Sequence, residues 1–188
     1  MMLHPGFADP VLDSQACFRA VLDALSHPGR IATLAALDPP PPLDPATAAV
    51  VLTLVDAESP LWLDEAAGAA RDWIGFHCGV AMVPQPRAAF GLALRPVALA
   101  GFGTGSDDAP ESGATVILQV AGFGEGRRLR LSGPGLAAPA VLAVSGLSDG
   151  FVAEWAANHA LFPRGIDLLL CAGSQVAALP RSVQVAEA

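Results

Sequence analysis

All ten cations of this chain are arginines, and three of them cluster at Arg127, Arg128 and Arg130. A guanidinium binds phosphate or carboxylate oxygens two at a time, so such a cluster suits an anion or an acidic partner. On a strand, Arg128 and Arg130 share one face while Arg127 and Leu129 share the other. The turn Ser132-Gly133-Pro134-Gly135 follows, with amides able to help cradle an anion. Arg30 lies just past Pro28-Gly29 and Arg181 just past the last predicted hairpin, again near turns, where ligand contacts gather. Arg30, Arg127, Arg130 and Arg181 are therefore the candidate anion-binding or interface residues. The competing reading is local: the same arginines pair with Asp56, Glu111 or Asp167 and fix loops or a subunit contact.

Other chemistries fail on residue type or spacing. The chain has no lysine, which excludes a P-loop and any internal aldimine with pyridoxal phosphate. Gly101 to Ser106 and Gly122 to Arg127 both resemble a dinucleotide loop, but Ser106 and Arg127 stand where its last glycine is required. His77 and Cys78 are adjacent, whereas nucleophile and base usually come from distant positions. His4, His27, His77 and His159 show no HxxxH or HxH spacing, so no metal site is assigned. Three cysteines without a CxxC pair read as buried thiols in a reducing compartment, with no disulfide framework and no iron–sulfur site. No catalytic residue is assigned.

Charge and composition exclude further classes. A net charge of −8 argues against nucleic-acid binding and against attraction to an anionic membrane. The 188 residues are 53% hydrophobic, with 37 alanines, and can bury one real core. No apolar run reaches the roughly 18 residues of a membrane span, and the first residues lack a signal-peptide pattern. A soluble, cytoplasmic protein is expected.

The elements that must position these residues follow from periodicity. Val11 to Ser26 predicts a helix with Phe18, Val21, Leu22 and Leu25 on its inner face, ended by His27-Pro28-Gly29. Arg30 to Leu34 reads as a short strand. After a five-proline connector, Asp44-Pro45 caps a helix over Ala46 to Val55. Leu61 to Leu63 is a short strand, and Asp64 to His77 a helix with Trp73, Ile74 and Phe76 inward. Ala88 to Leu94 alternates weakly, and Gly101 to Gly113 is a loop. Thr115 to Val120 is a strand buried on both faces. Gly122 to Gly126 is a turn and Arg127 to Leu131 a paired strand. Ser148 to Ala160 is a helix, and Ile166 to Cys171 with Gln175 to Leu179 a C-terminal hairpin. The fold class is α/β, a single domain over residues 1–188 with a mixed sheet flanked by helices.

Several segments resemble the PhnH family, the H subunit of carbon–phosphorus lyase systems. Phe18 to Gly29 is similar to that family's opening helix and its closing Pro-Gly. Ser59-Pro60-Leu61-Trp62-Leu63 looks like its P-x-W-L element, and Glu111 to Val120 like its E-x-G-A-T-x-I-L-Q-V strand. Arg127 to Gly135, Phe162 to Leu168 and Ala178 to Ser182 resemble R-x-L-R-L-x-G-x-G, F-P-x-G-I-D and P-R-[ST]. Arg127, Arg130 and Arg181 fall on matched positions, whereas Arg164 has no expected family role.

The resemblance implies a fold similar to the large domain of pyridoxal-phosphate transferases but without the cofactor. It implies a core complex with three other subunits, which with ATP places ribose triphosphate on an alkylphosphonate. A different subunit then breaks the carbon–phosphorus bond on an iron–sulfur cluster. The isolated chain is expected to be a non-catalytic homodimer, with a phosphonate or nucleotide as a ligand. The alternatives are a stand-alone module for a phosphorylated small molecule and an autonomous hydrolase using His77 with a carboxylate.

Overall fold

A computed structural model describes residues 4–35 and 37–188. The first helix, α1 (Pro10–Ser26), starts where Asp9 accepts the backbone N–H groups of Val11 and Leu12, with Pro10 pre-set in the first turn. It ends at His27-Pro28, and Gly29 adopts φ +86. Its buried face is Cys17, Val21 and Ala24, which matches the predicted one in part: Val21 is buried and Leu25 packs on the core, but Phe18 and Leu22 are half exposed. The small side chains of Cys17 and Ala24 let α1 lie close to its neighbours and turn the bulkier pair outward.

Ala32–Thr33 forms the short strand β1, and Pro45–Leu54 forms α2. Asp44 does not cap α2 with its side chain; its Oδ2 instead accepts the N–H of Gly173, 2.8 Å away. Alanines and valines from Ala46 to Val51 bury α2 on nearly every side. Next come β2 (Leu61–Leu63), a 3-10 segment at Glu65–Ala70, and α3 (Arg71–Cys78). The predicted helix from Asp64 is thus broken in two. Trp73 and Ile74 are buried as expected, but Phe76 is exposed.

β3 (Phe90–Ala93) and β4 (Thr115–Gln119) follow, and then β5 (Gly122–Ser132) and β6 (Ala140–Ser145). Gly122 to Gly126 belongs to β5 rather than to a turn, because a register shift between Phe123 and Arg127 absorbs the glycines as a bulge. β6 and the last strand are absent from the periodicity reading, since an unbroken apolar run and a polar tail carry no period-2 signal. The chain closes with α4 (Phe151–His159), the hairpin β7 (Asp167–Ala172) and β8 (Gln175–Leu179), and β9 (Gln184–Glu187).

Six strands form a mixed sheet in the order β1-β8-β7-β4-β3-β2, with β2, β3, β4 and β7 parallel. A second, antiparallel sheet runs β6-β5-β9. Alternate residues of the central strands face two different cores. Ile117, Leu169, Cys171 and Val176 meet α1, α2 and α3 on one side. Val116, Leu118, Leu168 and Leu170 meet α4 and the small sheet on the other. The architecture is α/β, as the composition of elements predicts. Among the described residues no helix is long and apolar enough to cross a membrane.

Candidate functional site

The four candidate arginines lie in different surroundings. Arg181, after β8, is the most deeply set. Its backbone N–H donates to Asp167 Oδ1 at 2.7 Å, and its Nε and Nη2 donate to the same carboxylate at 3.1 and 2.6 Å. Its Nη1 donates to the Pro110 carbonyl at 2.5 Å. A Cβ on Gly113 would lie 2.7 Å from that Nη1 and would strike the Gly165 carbonyl as well, so glycine leaves the room the guanidinium uses. Asn158 closes the same region from below: its side chain donates to the Ile166 carbonyl at 2.9 Å and accepts the Ile166 N–H at 2.8 Å. The Nδ1 of His159 lies 3.0 Å from the Arg181 carbonyl.

Segments 110–114, 162–167 and 180–182 therefore meet at the amino ends of β4 and β7, which pair there as Thr115 with Asp167. This clasp saturates Arg181 with acceptors from the chain itself. Of the three partners considered for the arginines, Asp167 is the one engaged. Asp56 instead accepts from Ser59 Oγ at 2.7 Å and from the Glu58 N–H.

Arg30 is likewise committed, both Asp23 oxygens lying within 3.0 Å of its Nη1. That hydrogen bond, ahead of any other influence, holds the Asp23 carboxyl below its usual range. Arg127 sits beside the β5 bulge at the edge of a shallow hollow of about 520 Å³. Its Nη1 donates to Glu187 at 2.5 Å and its Nη2 to Asp149 at 3.4 Å. Gly126, at φ +86, has no room for a Cβ, which would sit 2.6 Å from Ser145 Oγ. Two carboxylates already face this arginine, so an incoming phosphate has to displace them.

Arg130 differs from the other three. It is exposed on β5 and, among the described residues, its side chain has neither a hydrogen-bond partner nor an ion pair; the same holds for the Arg128 side chain. The turn Gly133-Pro134-Gly135 is exposed, but its two glycines pack closely against neighbouring backbone. Gly133 backs onto Ser182 and Val183, and Gly135 onto Ser26 and Pro28.

Two features were not legible as a site. At the carboxyl ends of β2 and β3, Asp64 accepts from Arg95 Nη2 at 3.1 Å and from the backbone N–H groups of Ala66 and Leu94. Burial alone would raise its pKa, but these donors outweigh it and hold the carboxyl low. The hollow beside it, about 500 Å³, is lined by Trp62, Leu63, Glu65, Pro96 and Val97. Two carboxylates against one arginine make it a poor anion site. Arg164, which had no expected role, lies 3.0 Å from Asp107.

The groups that could react are held apart. His77 Nε2 lies 3.2 Å from the His4 carbonyl, while Cys78 Sγ points toward the Val51 carbonyl. Burial pushes the Cys78 thiol up to about 11, and burial likewise raises Cys17 and Cys171. All three are free thiols. Among the described residues no three His, Cys, Asp or Glu side chains are placed to hold a metal.

The fold and these surroundings describe an α/β protein whose motif residues tie strands together and leave Arg128 and Arg130 side by side and unpaired on one exposed strand face. The chain belongs to the PhnH family: residues 5–186 match the model for PhnH, described as a bacterial phosphonate metabolism protein. A Rhizobium meliloti (strain 1021) protein, "Alpha-D-ribose 1-methylphosphonate 5-triphosphate synthase subunit PhnH", is 40% identical over 188 aligned residues, covering 95% of this chain and 93% of the relative. A Stutzerimonas stutzeri protein, "Putative C-P lyase subunit protein HtxG", is 38% identical over 175 residues, covering 91% and 85%.

Proposed function

We propose that this chain is a non-catalytic subunit of a carbon–phosphorus lyase core complex, needed with its partner subunits to transfer ribose triphosphate from ATP to an alkylphosphonate. The observation that carries the reading is the near-full-length similarity, at 40% identity, to a relative named as a synthase subunit. The residues that bear the family motifs build the Arg181–Asp167 clasp, a structural use of those positions that suits a subunit.

The whole chain acts as one PhnH-like unit in the cytoplasm, without pyridoxal phosphate or an iron–sulfur cluster. Its fold is a version of the pyridoxal-phosphate transferase large domain, a reading supported by the parallel run β2, β3, β4 and β7 between helices. With no lysine it cannot form that cofactor's aldimine. Alone, the chain is a homodimer. Exposed Val11, Phe18 and Leu22 fall on one stripe of α1 and offer apolar surface for it.

Phosphorus NMR tests the central reading. Isolated chain with ATP and methylphosphonate should leave both unchanged, and adding the other core subunits should yield the ribose 1-methylphosphonate 5-triphosphate. Product formed by the chain alone contradicts it. A second reading, binding of a phosphorylated small molecule, rests on the hollow at Arg127. It requires a thermal shift with ATP or methylphosphonate that Arg127→Ala abolishes.

A further inference from the structure

The outer face of the β6-β5-β9 sheet is built unlike the rest of the surface. Cross-strand pairs set its composition: Arg128 opposes Ala143, and Arg130 opposes Val141 on one side and Ala186 on the other. The opposite face takes Leu129, Leu131 and Leu142 into the core. Arg128 and Arg130 are both exposed, and Val141 beside them is 51% exposed. Exposed Ile31, from the segment after α1, lines the adjoining hollow of about 510 Å³ with Arg128 and Val141.

Charge makes the face stand out. In a chain of net −8, Arg30, Arg95, Arg127, Arg164 and Arg181 each have a carboxylate within 4 Å. Arg128 and Arg130, like the exposed Arg19, Arg71 and Arg87, have none among the described residues, and these two stand two positions apart on one strand face, which doubles the free charge there. Glu125 lines the hollow without pairing with either. Uncommitted guanidinium groups around exposed aliphatic side chains are the composition of an interface rather than of a solvated strand.

From this we infer that the outer face of β5 and β6 docks a carboxylate-bearing surface of another subunit of the complex, with Arg128 and Arg130 as its charged anchors and Val141 and Ile31 as its apolar centre. A second copy of this chain is the poorer occupant. Two copies meeting on this face across a two-fold axis would set arginines against arginines. The inference rests on the subunit reading above.

Co-expression of tagged chain with the other core subunits, followed by native mass spectrometry, tests it. The double variant Arg128→Glu, Arg130→Glu should be carried in the complex at least about tenfold less than the wild type, since charge reversal turns each attraction into repulsion. Its circular dichroism and melting temperature should be unchanged, because neither side chain has a partner to lose. The milder Arg128→Ala, Arg130→Ala variant should assemble, but with a weaker dependence on salt. Arg19→Glu, an exposed arginine on α1, should assemble normally. Wild-type incorporation of the double Glu variant would overturn the inference while leaving the subunit reading intact. Absence of the wild-type chain from the complex would overturn both.

Discussion

Asp167, the first residue of β7, receives three donors from Arg181: the backbone N–H, Nε and Nη2. Both side chains are largely buried, with Arg181 12% and Asp167 22% exposed. The pair joins the end of the C-terminal hairpin to the start of its own first strand, and through Pro110 to the approach to β4. Removing either partner strands the other in a desolvated site. Arg181→Ala and Asp167→Asn should each lower stability by about 2–4 kcal/mol in urea unfolding. Arg181→Lys should not restore it, because an ammonium cannot fork onto the carboxylate while reaching Pro110. A lysine variant as stable as the wild type would show that charge alone suffices.

Gly126 should tolerate no side chain. Its φ of +86 and the proximity of Ser145 Oγ and the Val144 carbonyl make Gly126→Ala strained twice over. A loss of about 1–3 kcal/mol is expected, with the β5–β6 bulge loosened and Arg127 displaced from Glu187. Hydrogen exchange at β6 amides would report the loosening.

Asp64 carries a pH prediction. Its folded carboxyl lies below the ordinary value, so its stabilisation is present above the unfolded carboxylate pKa and is lost as pH falls through the folded one. Asp64→Asn should therefore cost about 1–3 kcal/mol at neutral pH, with the gap to the wild type narrowing on acidification. A gap that stays constant down to the acid transition would refute the assignment.

The cysteines should be sluggish. With Cys78 raised to about 11 by burial, its thiolate fraction at pH 8 is about a hundredfold below that of an ordinary thiol. Alkylation by iodoacetamide should be correspondingly slow and should keep accelerating well past pH 9. A plateau near pH 9 would indicate an unperturbed thiol.

Much of this arrangement was readable from the residues. The β-branched run Thr115 to Val120 and the hairpin around Gly173 carry strong local signals, and both stand where periodicity places them. The inward face of α1 was legible in part: Val21 and Leu25 stand inward as the spacing predicts, but periodicity weights bulk. Phe18 and Leu22 looked like core, but the small Cys17 and Ala24 fit the close approach to α2. The site was harder still. That Arg181 pairs with Asp167 could be guessed. That Pro110, Gly113 and Asn158 converge on the same point depends on parallel pairing of β4 with β7, which no local spacing reveals.

The central claim is that this chain works as part of an assembly and holds no complete active site. Native mass spectrometry of the tagged chain co-expressed with the other core subunits tests it most directly. The account predicts one discrete multi-subunit mass that contains this chain and turns over ATP with methylphosphonate. A chain that emerges alone while the remaining subunits assemble and react without it would contradict the account.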